Sequence, residues 1–206
     1  MTFKERKKIH VLNYGINNIR SLCSALEKIN AIPFEVNSWK DIKNSNYLIL
    51  PGVGAFSKGI ENLKKLGYYD EILNYNTKKR PLLGICLGMQ MLFEESDEFG
   101  KYPGLGVVKG SVRKLPKESK MKLPNVGWYN LNYKDDKQII ELNKKFYFNH
   151  GYYCTPNDKN VVSTSTYYGD FEFCSSLKDG HIMGSQFHPE KSSMDGLSFL
   201  KNFINI

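Results

Sequence analysis

Residues 81–90 read Pro-Leu-Leu-Gly-Ile-Cys-Leu-Gly-Met-Gln, an apolar run that meets a helix-forming segment at a cysteine with a glycine two residues to either side. Few backbones accept this pattern. A buried strand that turns sharply into a helix holds its corner residue in a strained conformation, with the side chain projecting freely. The flanking glycines remove the Cβ atoms that would collide in the turn. The segment predicts a strand over Pro81–Ile85, a corner at Cys86 and a helix over Gly88–Ser96. It also marks Cys86 as a candidate nucleophile, because a helix N-terminus behind a thiol favours the thiolate and offers backbone N–H groups to an oxyanion. Taken alone, the same residues describe a buried cysteine at a glycine-rich strand end, which is what most cysteines in a folded chain are.

The rest of the first half repeats the strand–helix alternation. Strands are expected over Ile9–Leu12, Pro33–Val36 and Tyr47–Leu50. A turn follows the first at Tyr14-Gly15-Ile16-Asn17-Asn18, and the third ends abruptly at Pro51-Gly52-Val53-Gly54. Asn18 is placed to cap a helix carrying Ile19, Leu22, Leu26 and Ile29 on one face, and Ser57 to cap one carrying Ile60 and Leu63. Alternation of this length argues for a parallel sheet covered on both sides. After Gly104 the character changes to successive β-type runs: Val107–Leu115, Trp128–Leu131, Phe146–Phe148, Val161–Thr166, Phe171–Leu177 and Ile182–Phe187. We read these as hairpins and added strands on the same sheet. A closing helix carries Leu197, Leu200 and Phe203. The chain of 206 residues has no Pro-, Ser- or Gly-rich linker, so residues 1–206 are read as one domain.

Composition narrows the function classes. The net charge of +8 invites a nucleic-acid reading, but Lys and Arg are spread along the chain and no nucleic-acid module is legible. A solvated basic surface is the better account. The basic start (Lys4, Arg6, Lys7, Lys8) runs straight into the first strand, with no apolar stretch of signal-peptide or membrane-spanning length, which predicts a cytoplasmic protein. Cys23, Cys86, Cys154 and Cys174 are scattered, with neither a CxxC pair nor a zinc-ligand spacing.

A second segment, Gln186-Phe187-His188-Pro189-Glu190-Lys191-Ser192, follows a buried strand far downstream of Cys86. A lone histidine is most often a satisfied core or surface residue. Here His188 can take a thiol proton and return it to a leaving group, and Glu190 can orient the imidazole and stabilise its cation. Gly-Ile-Cys-Leu-Gly-Met-Gln together with Gln-Phe-His-Pro-Glu-Lys-Ser resembles the class I glutamine amidotransferases, in which a Cys-His-Glu triad hydrolyses the glutamine amide. The opening Asn13-Tyr14-Gly15, Leu50 to Phe56, Met89 to Ser96, Val126-Gly127-Trp128, Phe146 to His150 and Tyr168-Gly169 narrow the resemblance to the glutaminase subunit of imidazole glycerol phosphate synthase.

The resemblance implies a three-layer α/β fold with a mostly parallel central sheet and added antiparallel strands in the second half. It implies that Cys86, His188 and Glu190 are catalytic, and that the turn containing Gly52 and Val53 joins Leu87 in holding an oxyanion. Gly54, Gln90, Glu98, Gly151 and Tyr152 fall at glutamine-binding positions, with His150 structural or part of an interface. No metal or organic cofactor is implied. The implied partner is a cyclase of (β/α)₈-barrel form that receives ammonia through a channel, forming a heterodimer. Two departures stand out: the family has Pro-His-Met-Gly-Trp where this chain has Pro124-Asn125-Val126-Gly127-Trp128, and Gly151 stands where Ser or Thr is usual. The first segment faces the partner in the family, so Asn125 bears on partner identity and leaves open a sugar amidotransferase of surface-glycan synthesis. A non-catalytic module on an amidotransferase scaffold is the reading from another class.

Overall fold

The computed structural model describes residues 6–16, 18–117, 122–133 and 145–206; Lys4 of the basic start and Asn17 of the first turn lie outside them. Strands β1 (Lys8–Leu12), β2 (Ile32–Val36), β3 (Leu48–Leu50) and β4 (Leu82–Ile85) alternate with helices α1 (Ile19–Lys28), α2 (Trp39–Lys43), α3 (Phe56–Lys65) and α4 (Tyr68–Thr77). Cys86 then leads into α5 (Leu87–Met91). The four strands pair in parallel in the order β2-β1-β3-β4.

Side-chain alternation along these strands builds two cores. Leu12, Leu48, Leu50 and Leu82 face α3, α4 and α5, where Phe56, Leu63, Ile72 and Met89 are buried. Ile9, Val11, Ile49, Leu83 and Ile85 face the opposite layer, formed by Leu22 and Leu26 of α1 and by Leu200 and Phe203 of the C-terminal helix α6 (Ser193–Ile204). Full burial on both faces is why β3 and β4 are continuous apolar runs.

The remaining strands are β5 (Phe93–Ser96), β6 (Tyr102–Pro103), β7 (Val108–Lys114), β8 (Asn125–Asn130), β9 (Asn132–Tyr133), β10 (Lys145–His150), β11 (Tyr152–Pro156), β12 (Val162–Tyr168), β13 (Phe171–Asp179) and β14 (Ile182–Ser185). β14 extends the parallel sheet beside β4, and β13, β11, β7, β5 and β6 continue it outward. The β14–β13, β13–β11 and β11–β7 pairings are antiparallel.

Two expectations need correction. The helix expected over Gly88–Ser96 stops at Met91, and Phe93–Ser96 is a strand. The Phe-Glu-Glu run is drawn out by tertiary pairing with β7 (Phe93↔Val108, Ser96↔Val112) and by backbone bonds from Gly104 to Glu94 and from Val108 to Leu92. A Cβ at Gly104 would overlap the Phe93 carbonyl, so only glycine permits that approach. Second, the β runs do not all join one sheet. β8 and β10 form a separate antiparallel ribbon, whose Phe146 and Phe148 pack with Leu115, Tyr168, Phe173 and Phe187 in a third core. Helix caps also differ. Asn18 occupies its N-cap position without a side-chain cap bond, and α3 starts at Phe56, which leaves Ser57 inside its first turn. Among the described residues no helix is long and apolar enough to cross a membrane.

The glycines of the Cys86 corner have distinct neighbours. A Cβ on Gly84 would stand 2.7 Å from backbone atoms of Met89, and one on Gly88 would overlap the Leu50 carbonyl oxygen at the end of β3. The corner is therefore pinned against the neighbouring strand by contact that no side chain can enter. Gly88→Ala should cost about 1–3 kcal/mol through overpacking, lowering Tm by roughly 2–4 °C per kcal/mol. Gly151→Ala is the control, because a Cβ there meets nothing within 4 Å; thermal melts should leave it at or slightly above the parent Tm.

Candidate active site

Cys86 holds φ 52° and ψ −109°, a left-handed conformation that costs a non-glycine residue of order 1–3 kcal/mol. Its N–H donates to the Ser185 carbonyl at 2.7 Å and its carbonyl accepts from the Gln90 N–H at 3.1 Å, so bonds to β14 and α5 enforce the strain. Leu87, the first helical residue after it, has an N–H with no acceptor inside the helix. The site collects at the carboxyl ends of the parallel strands: Cys86 after β4, Pro51–Gly54 after β3, Tyr14 after β1 and His188 after β14. Ligands of open α/β sheets bind at that edge.

His188 is 3% exposed and its Nδ1 lies 2.9 Å from Glu190 Oε1. Burial disfavours the imidazolium, but the Cys86 thiolate and the Glu190 carboxylate more than offset it and push the His188 pKa up to about 10. A charge on Cys86 and the Glu190 carboxylate behind the ring thus both favour the protonated imidazole. The backbone of His188 is tied to β10. Its N–H donates to the Tyr147 carbonyl at 2.9 Å, and Ser192 bridges the same two residues, donating to the His188 carbonyl at 2.6 Å and accepting from the Tyr147 N–H at 3.0 Å. A Cβ at Gly196 would overlap the Pro189 carbonyl, which explains how α6 begins so tightly after the His-Pro-Glu turn.

The Pro51–Gly54 segment lies against the Cys86 corner. Tyr14 donates its hydroxyl to the Pro51 carbonyl at 2.5 Å, and burial, with the charge on Cys86 second, raises its pKa so that it remains a donor. A Cβ on Gly52 would strike that hydroxyl and sit 3.1 Å from the Leu87 Cβ. The Val53 N–H donates to the Ile16 carbonyl at 3.0 Å. Gly54 has φ +96° with open space around it.

A chain of buried amides borders Cys86 on its other side. Gln90 Nε2 donates to the Tyr152 carbonyl at 2.9 Å and to Gln186 Oε1 at 3.2 Å. Gln186 Nε2 donates to Cys86 Sγ at 3.7 Å. The Tyr152 carbonyl also faces His150 Nδ1 at 2.8 Å, and Asn125 Nδ2 lies 3.1 Å from His150 Nε2. A carbonyl only accepts, so His150 carries its proton on Nδ1 and Nε2 accepts from Asn125. Asn125 is 1% exposed, so the departure at this position is an interior one. The neighbours that reach solvent are Val126 and Trp128, at 54% and 47% exposure. The reading of Asn125 as a partner-facing residue is corrected accordingly.

Glu98 is buried, and its Oε2 accepts from the Phe56 N–H at 2.5 Å, performing for α3 the cap expected of Ser57. Burial raises its pKa, the Phe56 N–H counteracts this, and Asp97 adds to the rise. Tyr152 lies beside Glu98, with the Phe99 ring 6.5 Å from its own. Of the expected site residues, Gly52 lies against Leu87, Gln90 connects through Gln186 to Cys86 and bonds the Tyr152 carbonyl, and Glu98 sits between the start of α3 and Tyr152. Gln186, Ser192 and Tyr14 stood in the quoted motifs without an assigned role. Their roles depend on contacts across 37 to 100 positions of sequence, for which a local pattern carries no signal. Cys154 and Cys174 face each other across β11 and β13, buried, with the Cys154 pKa raised by burial. Among the described residues no His, Cys, Asp and Glu group is arranged to hold a metal ion.

A strained cysteine at a strand–helix corner, a buried imidazole and a carboxylate behind it form a set able to attack and protonate an amide. Comparison with known proteins agrees: residues 10–206 match the family model "Glutamine amidotransferase class-I", and the chain belongs to that family. The fold is similar to a crystal structure of a glutamine amidotransferase with a TM-score of 0.74 at 18% identity, covering 96% of this chain and 97% of the other. Within the family, the chain is 42% identical to the imidazole glycerol phosphate synthase subunit HisH of Aquifex aeolicus (strain VF5), over 94% of each. It is 38% identical to the chloroplastic imidazole glycerol phosphate synthase hisHF of Arabidopsis thaliana, over 96% of this chain and 34% of that one.

The buried His150 predicts a pH dependence of stability. Burial lowers its pKa from 6.5 to about 4, the Tyr152 carbonyl partly opposing. Between those values the unfolded chain takes up a proton that the native state refuses. The contribution is complete above pH 6.5 and is lost as pH falls to about 4, amounting to on the order of 3 kcal/mol. Denaturant unfolding from pH 8 to pH 4 should show His150→Gln less stable at pH 8 but with a flatter acid limb than the parent.

Proposed function

We propose that this chain is the glutaminase subunit of an imidazole glycerol phosphate synthase, with Cys86, His188 and Glu190 as its catalytic residues. The observation that carries the reading is the pairing of the strained Cys86 with the buried His188–Glu190 pair, in a chain similar to HisH subunits over nearly its whole length. The Cys86 thiolate attacks the glutamine amide carbon, and His188 donates its proton to the departing ammonia. Water then adds to the thioester, with His188 as base, and releases glutamate. Glu190 orients the ring and stabilises its cation.

Glutamine binds beside Cys86. Glu98 meets its α-ammonium group, Gln90 turns its Oε1 outward because both Nε2 protons are taken, and Gly54, Gly151 and Tyr152 line the pocket. The Leu87 N–H is one donor to the oxyanion. The Val53 N–H is the second, reached by rotating the Gly52–Val53 peptide away from the Ile16 carbonyl it now serves. One absent oxyanion donor is worth about 10²–10³ in rate, enough to hold hydrolysis back until it is needed. As the likeness to HisH subunits suggests, a separate synthase subunit, a cyclase of (β/α)₈-barrel form, receives the ammonia for histidine biosynthesis. A relative that is nearly three times as long, the hisHF protein, is consistent with such a pairing.

Glutamate release by the chain alone, with a cyclase subunit, and with cyclase plus its phosphorylated acceptor tests the reading. Activity should be lowest in the first state and highest in the last; equal turnover in all three overturns the gating. Cys86→Ala should abolish glutamine-dependent synthesis and leave synthesis from ammonium salts. His188→Ala should lose several orders of magnitude, and Glu190→Ala distinctly less.

A further inference from the structure

We propose that Gln186 is a further catalytic residue, donating a hydrogen bond to the Cys86 sulfur while bracing Gln90 for glutamine binding. The proposal rests on the glutaminase reading for its kinetic consequences, but the contact itself is independent of it.

The orientation of every amide in the chain follows from one group that cannot be reversed, the Tyr152 backbone carbonyl. Gln90 must present Nε2 to it, at 2.9 Å. That nitrogen also lies 3.2 Å from the Gln186 side chain, which must therefore offer its oxygen. The Gln186 nitrogen is left facing Cys86 Sγ at 3.7 Å. Reversing either amide would bring two N–H groups or two oxygens together in a buried site, at a cost of the order of a lost hydrogen bond. His150, held by Asn125, donates to the same Tyr152 carbonyl and fixes the anchor.

The two other near contacts of the sulfur act differently. Cys86 Sγ donates to the Asn149 carbonyl at 3.8 Å, a bond open only to the neutral thiol. His188 accepts and returns the proton, so its charge varies through the cycle. The Gln186 N–H is a donor in every protonation state. It favours the thiolate over the thiol against the pull of the Asn149 carbonyl, since a hydrogen bond to a charged acceptor is roughly twice as strong as one to a neutral acceptor. Gln186 is fully buried and its backbone N–H donates to the Ser175 carbonyl at 2.9 Å, so the side chain has a fixed base. One residue thereby sets both the nucleophile and the substrate-facing oxygen of Gln90.

The test is the pH profile of Cys86 alkylation by iodoacetamide in the full-length chain, read by mass spectrometry of the Cys86 peptide, beside glutaminase kinetics with a cyclase subunit. Gln186→Met keeps length and volume but has no N–H. It should move the alkylation midpoint up by about one pH unit. It should also lower kcat and raise KM for glutamine. Gln90→Met should raise KM and move the alkylation midpoint by less than Gln186→Met does, because it only unfastens the Gln186 amide and leaves its N–H in place to donate. If Gln186→Met does not fold, Gln186→Asn, which withdraws the donor by one methylene, should give the same shift. An unchanged midpoint in a folded Gln186 variant overturns the proposal, as does an equal shift in Gln90→Met. An unmodified chain that fails to hydrolyse glutamine with any partner sinks the glutaminase reading instead, and the alkylation profile still decides the role of Gln186.

Discussion

The contact on which the rest of the molecule depends is the one between the Leu50 carbonyl at the end of β3 and Gly88 in the first turn of α5. It brings two parallel strand ends and a helix N-terminus within van der Waals distance, without an intervening side chain. Everything functional follows from that approach. The Pro51–Gly54 segment can lie over the corner only because Gly52 also lacks a Cβ, and the left-handed Cys86 is tolerated because its N–H and carbonyl are both bonded to rigid neighbours. Strain at a nucleophile persists when surrounding structure over-determines it. Here the determinants are hydrogen bonds to β14 and α5 and steric exclusion by β3.

Charge is the second constraint. Cys86 and His188 are each at most 5% exposed, and an isolated ionised group at either place would be strongly disfavoured. The imidazole of His188 tolerates a charge because Cys86 and Glu190 both lie against it, while the Gln186 side-chain nitrogen lies beside the sulfur. A buried ion pair of this kind is poor at stabilising a fold. The chain meets that cost elsewhere, in two apolar cores that use both faces of the parallel strands and in a third core of aromatic residues under the β8–β10 ribbon.

Much of this was legible in the sequence, for physical reasons that can be named. The parallel half has buried strands and amphipathic helices of ordinary length, so periodicity located β1 to β4 with α1 and α3 closely. The Cys86 corner and the His-Pro-Glu turn are local motifs whose steric demands are written in their own residues. Other features failed wherever a distant segment decided the matter. Phe93–Ser96 reads as the continuation of a helix until β7 claims its backbone. Ser57 looks like a cap because a carboxylate 42 positions away cannot be seen from the α3 sequence. Asn125 and Trp128 belong to one short strand, yet one points into the protein and the other toward solvent, a division that depends on the ribbon leaving the main sheet.

The bond between Glu98 and the Phe56 N–H places one carboxylate in two offices. It closes the first turn of α3, and it stands at the wall where an ammonium-bearing ligand would seek a counter-charge. Such an ammonium shares the carboxylate with the helix terminus, so the fraying of α3 and the occupancy of the site are thermodynamically linked, and by reciprocity each shifts the other by the same factor. Helix α3 leads directly out of the Pro51–Gly54 segment, with only Ala55 between them. A substrate that draws on Glu98 would thereby be felt at the base of the Pro51–Gly54 segment, whose rotation we propose as the switch, through a single oxygen atom and without any movement of the sheet.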